Sequence, residues 1–464
     1  MATTPRPLDE IVSRAHTLRD KLPPGFRDQT VEWLYQEAER ISRRAVRRSG
    51  EAWDLDQRID RLVTSPVFGL PLMLGMMVGV LWVTIIGANY PSQWIAAALF
   101  AIEERMVGLF AGAGAPWWLT GFLWNGVYRG LAWVVSVMLP PMAIFFPIFT
   151  ILEDLGYLPR VAFNMDWLFR KAGAHGKQAL TMAMGFGCNA AGVISTRVID
   201  SPRERLIAIL TNNFVPCNGR FPTLIMLATI FIGASFPPAL TSLVAAGAVM
   251  AVVLIGAGFT LLSSAILSKT MLKGEASAFT LELPPYRRPS ILRILYTSLI
   301  DRTIFVLFRA MMTAAPAGAL IWLLANIQPG GTSLARYAAG FLDPLGRAIG
   351  LDGVVLLAYV IAIPANEIVV PTMMMVYLGT GAMTALESFN DIRRLLVEQN
   401  GWTLLTAVNL MLFSLLHNPC ATTIITIWKE TRSGKWTAWG ALAPLGLAFL
   451  VTFLVASADR LIRQ

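Results

Sequence analysis

The segment ALTMAMGFGCNAAGVIS, residues 179–195, is apolar but too short to cross a bilayer comfortably, and Gly185, Gly187 and Gly192 interrupt it. A spanning helix takes roughly 20 mostly apolar residues. The stretch therefore reads as a broken or re-entrant helix, a form tolerated at membrane depth only where protein or a water-filled cavity satisfies the backbone. At its centre a cysteine stands beside an asparagine, Cys188–Asn189. The pairing recurs as Cys217–Asn218 in FVPCNGRFP, residues 214–222, and as Asn418 ahead of Pro419–Cys420 in HNPCATT, residues 417–423. The chain has no other cysteine.

Composition gives the setting for that segment. Of 464 residues, 55% are hydrophobic and 14% charged, and the mean hydropathy is +0.58. Soluble domains are about one quarter charged, so the chain reads as an all-α integral membrane protein, a polytopic helical bundle in the lipid bilayer. Spanning candidates lie near 66–88, 129–152, 204–218 continuing through 219–234, 238–268, 303–327, 353–379, 403–428 and 436–457. This makes about eight to ten membrane elements. Residues 93–111 and 160–176 read as interfacial helices, the first with Trp and Phe on one side and Glu103, Glu104 and Arg105 on the other. The polar stretches 270–300 and 383–401 read as loops. Four regions result: a charged, amphipathic, cytoplasmic segment at 1–62, a membrane region at 63–270, a polar loop at 271–300 and a second membrane region at 301–464.

The net charge of +9 fits loop arginine and lysine setting orientation against an anionic cytoplasmic leaflet. It does not call for nucleic acid. A cytoplasmic N-terminus in the inner membrane follows as the expectation. The first 65 residues are too polar for a secretory signal. Three scattered cysteines at membrane depth make no disulfide framework, which leaves small packing residues or ligands.

Aligning the cysteines exposes an internal repeat. GCNAAGVISTR leads through a helix to FVPCNGRFPTLI, and PANEIVVPTMM leads through a longer connection to HNPCATTIITI. Asn189 matches Asn366 and Pro216–Cys217 matches Pro419–Cys420, whereas Cys188 finds Ala365. Paired Gly- or Pro-interrupted apolar segments in two halves point to a transporter's binding site. Proline inside a helix frees carbonyl oxygens one turn earlier. Thiols, asparagine oxygens and freed carbonyls together form a mixed soft and hard ligand set suited to Fe(II) and other late first-row metals. Incomplete coordination is also what permeation requires.

Glu367, in IPANEIVVP, is an ionisable group inside an apolar run, a functional candidate by default. Its structural alternative is a buried pair with a cation such as Arg309. His417 could be a ligand or proton relay, or a helix-end residue bonded to backbone. Glu153, Asp154 and Arg160 read as a structural turn. The candidate metal set is thus Cys188, Cys217, Cys420, Asn189, Asn366, Glu367 and His417. A phosphate-cradling loop reads GxxxxGK followed by Ser or Thr. AGAHGKQ comes nearest but has Lys171 at the first glycine and Gln178 at the hydroxyl, so no GTP site and no enzymatic motif is seen.

The segment from EDLGYLPR through FVPCNGRFP, together with DLDQRIDRLVTSPVFGLPLML, ANEIVVPTMMMVYLG and NPCATTIITIWKETRSGKW, resembles the membrane domain of the FeoB ferrous iron transporters over roughly residues 55–457. The resemblance implies two Gate-type repeats of inverted topology and Fe(II) as the transported substrate. It also implies iron-contacting roles for Cys188, Cys217 and Cys420. Where the family often has Val-Pro, this chain has Ala190 and Ala191. The family's usual N-terminal GTPase domain has no counterpart in the first 60 or so residues. The resemblance therefore implies a permease part, with a separate GTPase chain docking on the N-terminal segment, a small FeoA-like partner, and room for a homo-oligomer. A nucleoside or other organic solute carrier, and a non-transporting assembly protein, are the rival readings.

Overall fold

The computed structural model describes residues 26–45, 55–65, 67–273, 289–384 and 389–463, with residues 14, 17 and 286. The described elements are helices. Two amphipathic helices, α1 (Phe26–Ala45) and α2 (Leu55–Val63), precede α3 (Gly69–Gly112) and α4 (Trp117–Asp154). Next come α5 (Tyr157–Lys171), α6 (Gln178–Gly187), α7 (Asn189–Ser195), α8 (Pro202–Thr211), α9 (Phe221–Ser235) and α10 (Pro238–Lys269). The second half holds α11 (Ile291–Asn326), α12 (Leu334–Ala348), α13 (Gly353–Ile361) and α14 (Asn366–Leu378). It closes with α15 (Phe389–Arg393, running on as a π-turn over Arg394–Gln399), α16 (Leu404–Leu416), α17 (Ala421–Thr431) and α18 (Gly434–Arg463).

Among the described residues, six helices are long and apolar enough to cross a membrane: α3, α4, α10, α11, α18, and Leu404–Thr431, which is α16 and α17 taken together. Their outer faces carry exposed large apolar side chains such as Leu243, Leu262, Phe308 and Leu442, as lipid-facing surfaces do. The chain is an all-α polytopic membrane protein.

Three sequence expectations change. Residues 93–111 do not form a separate interfacial helix, because α3 runs unbroken through Pro91. Packing of α3 along α4 holds the helix together across the missing N–H. Glu103 accordingly faces protein, 3% exposed, and pairs with Arg129 at 2.9 Å. Of the two stretches read as loops, 291–300 is the start of α11, while 389–399 is helical. The arginine-rich run between α1 and α2 lies outside the described residues.

The repeat inferred from the cysteines has a backbone counterpart. α6 ends at Cys188, whose φ of −156° and ψ of 125° are extended, and α7 starts at Asn189. α13 is followed by a break ending at Ala365, φ −153° and ψ 119°, and the next turn starts at Asn366. Each break makes a short hairpin, since α6 packs on α7 and α13 on α14. The hairpins are packed among the spans: α7 rests on α17 and the start of α14 lies against α4. α4 and α11 approach closely at Gly126, Gly130 and Gly318, where a Cβ on Gly318 would strike the Gly126 carbonyl. Small residues at a membrane helix crossing permit this separation.

Candidate functional site

Both breaks in each half are tied together by backbone. Asn218 N–H donates to the Gly187 carbonyl at 3.4 Å, and Ala421 N–H donates to the Ile363 carbonyl at 2.7 Å. In each half the residue after the Pro–Cys pair is thereby held against the neighbouring hairpin tip. The consequence is one cavity of about 30 Å³ between the halves. It is lined by Cys188, Asn189, Cys217, Asn218, Gly219, Asn366, Glu367 and Cys420, with Met138 and Met142 of α4 and Thr422 of α17. Six of the seven sequence-derived candidates line it.

The seventh, His417, does not. It caps α16 and is 2% exposed. Its Nδ1 faces the carbonyls of Ser414 at 2.9 Å and Phe413 at 3.2 Å, and Nε2 lies 3.3 Å from Asn366 Oδ1. Two carbonyls at Nδ1 require a proton there, so a neutral ring leaves Nε2 as an acceptor. Nε2 meets the side chain of Asn366, which itself lines the cavity. His417 therefore acts on the site through Asn366. Asn189 is fixed similarly: oriented to satisfy its neighbours, its nitrogen donates to the Gly185 and Val215 carbonyls, 3.2 Å each. The oxygen is what it has left to offer an ion.

Cys420 Sγ lies 3.3 Å from Thr423 Oγ1, and all three thiols are free. Glu367 forms no ion pair with Arg309 or any other cation among the described residues. Its carboxylate packs instead against Gly219, where a Cβ would collide with it. Among the described residues, no three of His, Cys, Asp and Glu stand close enough to hold a metal together in this conformation. The donors surround a space without closing on it.

One element of the expected ligand set is altered. The carbonyls freed by the breaks do not face the cavity as a group; those of Asn213, Leu415, His417 and Asn418 accept from the guanidinium of Arg220. Sequence reasoning passed over this residue although it stands in FVPCNGRFP, and the rule that picked out Glu367 applies to it equally. Met138 and Met142 were also missed, because methionines one helical turn apart on an apolar span carry no sequence signal beyond packing.

α4 links this cavity to others. A space of about 140 Å³ shares Gly219 and Glu367 with it and adds Trp133 and Val137. One turn further along α4, Arg129 borders a wider chamber of about 570 Å³ with Trp117, Asn125, Trp322 and Asn326. Arg129 also donates to the Met383 carbonyl at 3.2 Å.

Comparison with known proteins agrees with this architecture. A family model described as "Gate: Nucleoside recognition" matches residues 135–231 and 293–434, more than half of the chain. A second, "Ferrous iron transport protein B C terminus", matches residues 249–301. The chain is 28% identical over 466 residues to a protein of Staphylococcus aureus (strain MSSA476) named "Fe(2+) transporter FeoB", covering 96% of this chain and 66% of that one. A protein of the same name from Synechocystis sp. is 31% identical over 410 residues, 88% of this chain and 63% of that one. A Porphyromonas gingivalis protein named as a fusion of "Fe(2+) transport protein A" with the transporter is 27% identical, covering 86% of this chain and 51% of that one. The chain thus spans between about half and two thirds of the length of these curated relatives. No solved structure matches it. With the two Gate matches falling on the two broken-helix halves that enclose the cysteine cavity, the chain belongs to the FeoB family of membrane proteins.

Proposed function

We propose that this chain carries Fe(II) across the cytoplasmic membrane through the cavity between its two broken-helix halves. The observation that carries this reading is the convergence of Cys188, Cys217, Cys420 and Glu367 on one small cavity at the depth of the apolar spans. Thiols and carboxylate together suit a borderline-soft divalent ion better than a purely oxygen-loving one. The size of the cavity adds to the case: about 30 Å³ accommodates one water or one partly dehydrated ion. An organic solute needs some 300 Å³ or more, so a nucleoside does not fit the cysteine cavity as it stands.

In this mechanism the ion loses water as it leaves the 140 Å³ space and meets Glu367, which offsets part of its charge. It then exchanges remaining waters for the thiols, each of which binds best after releasing its proton. Asn189 and Asn366 contribute oxygen. Because the donors do not close into a cage, residence stays short enough for passage. The side bearing α1 and α2 is taken as cytoplasmic, and a small partner protein is proposed by analogy with the fusion relative.

The test is anaerobic uptake of labelled Fe(II) into liposomes containing the chain or its Cys188→Ser/Cys217→Ser/Cys420→Ser version. Uptake abolished in the variant supports the reading. Equal uptake by both, or retention of a nucleoside and no metal by the purified protein, removes it.

A further inference from the structure

The two helix breaks meet on one buried side chain. Arg220 is 1% exposed. Its Nη1 donates to the carbonyls of Asn213 and Leu415 at 2.8 Å each. Its Nη2 donates to Asn213 Oδ1 at 3.0 Å and to the carbonyls of His417 at 3.2 Å and Asn418 at 3.5 Å. Five oxygens from both halves of the chain thus converge on one guanidinium, and no carboxylate among the described residues pairs with it.

A buried charge is costly without compensation. Here the compensation is carbonyl dipoles, available because the breaks strip these groups of helical donors. Converging backbone and amide oxygens are also what Na⁺, K⁺ and Ca²⁺ sites are built from. Without Arg220 the crossing of the breaks would be such a site, next to the cysteine cavity. The backbone of the same residue holds the first break in shape, since Arg220 N–H donates to the Cys217 carbonyl at 2.9 Å. On the second break the side chain grips the residues just ahead of Pro419–Cys420.

We infer that Arg220 is a built-in cation: its guanidinium fills an oxygen cage formed where the two breaks cross and denies that cage to hard cations, leaving thiols and Glu367 to select the ion that passes. The inference deepens the Fe(II) reading and rests on it only for the identity of the passing ion. Arginine suits the position because its planar fork addresses several oxygens at once, whereas lysine presents a point charge.

The experiment compares the full chain with its Arg220→Gln and Arg220→Lys variants in detergent. Thermal unfolding is followed in choline chloride and with NaCl, KCl or CaCl₂ substituted at equal ionic strength. The parent and the Lys variant, whose cage stays occupied, are expected to unfold alike in all four salts. The Gln variant is expected to gain several degrees selectively in one of the inorganic cations, as binding to the folded state alone produces, or to need that cation in order to fold. In liposomes it should then leak that cation, which the parent does not. A Gln variant that behaves alike in every salt, folded or unfolded, overturns the inference. The readout contains no iron, so a cation-dependent Gln variant beside failed Fe(II) uptake would keep the cage and discard the Fe(II) reading.

Discussion

The carboxylate of Glu367 rests on Gly219, two residues beyond Cys217, with no room between them for a Cβ. A residue of the second half is thus seated on the backbone break of the first, and the glycine is required by contact, not by a left-handed backbone. Gly219→Ala is expected to displace Glu367 from the cavity and lower Fe(II) uptake about tenfold, equivalent to about 1.4 kcal/mol at the site. Uptake per mole of reconstituted protein checks this. Unchanged uptake would mean the carboxylate does not need its seat.

Glu367 itself has no cationic partner among the described residues, so its carboxyl is retained at a cost to stability. Glu367→Gln keeps the shape and removes the charge. It is expected to raise stability by about 1 kcal/mol while lowering uptake, the opposite signs typical of a functional group. Thermal unfolding in detergent beside liposome uptake gives both numbers. A variant that is less stable and still transports would assign Glu367 a structural role.

Glu103 is buried and its partner Arg129 is 30% exposed, the two 2.9 Å apart beside the wide chamber. Removing one partner strands the other, so Arg129→Met is expected to destabilise by roughly 3 kcal/mol. The double variant Glu103→Gln/Arg129→Met should recover most of that loss. A double-mutant cycle by detergent unfolding measures the coupling. Additive losses would show that the ion pair contributes nothing specific.

Outside the spans, Asp60 of α2 accepts from Arg160 at 3.0 Å and from Tyr286 Oη at 2.8 Å, and the Arg160 guanidinium lies 4.2 Å over the Tyr286 ring. Burial pushes the Asp60 carboxyl up, but the hydrogen bonds from Arg160 and Tyr286 and the Arg160 charge together hold it below the ordinary aspartate value. A depressed carboxyl stabilises the fold above the usual value near 3.9 and loses that contribution as pH falls through the folded value. The protection of α2 against hydrogen exchange, taken relative to the intrinsic rate at each pH, is therefore expected to be high at neutral pH and to fall below about pH 4. Asp60→Asn should show the reduced protection at pH 7, at a cost of roughly 3 kcal/mol, because it strands the buried Arg160 guanidinium. Exchange in α2 that ignores both changes would mean α2 is held by its apolar face alone.

Much of this was legible in the residues. The glycines of residues 179–195 and the Pro–Cys pairs announce breaks because no intact helix accommodates them, and the breaks fix where the cavity forms. The matching of Asn189 with Asn366 survives as a match of backbone shape at Cys188 and Ala365. Contacts between distant segments were not legible. Glu103 read as solvated because its partner lies 26 residues away, on a helix whose face toward α3 is set only by packing. Residues 93–111 read as a separate interfacial helix because their charged face says nothing of the packing that carries α3 on through Pro91. His417 read either as a ligand or relay or as a helix-end residue bonded to backbone, and it is the second, bonded to the Phe413 and Ser414 carbonyls at the end of α16.

The most direct test of the cysteine-lined site is X-ray absorption at the iron edge on the purified chain, loaded anaerobically with Fe(II), beside the triple Cys→Ser variant. Sulfur among the nearest neighbours of iron in the parent, replaced by oxygen and nitrogen alone in the variant, is the result expected if Cys188, Cys217 and Cys420 are ligands. An all-oxygen-and-nitrogen shell in the parent, at full occupancy, would contradict it and return the thiols to packing.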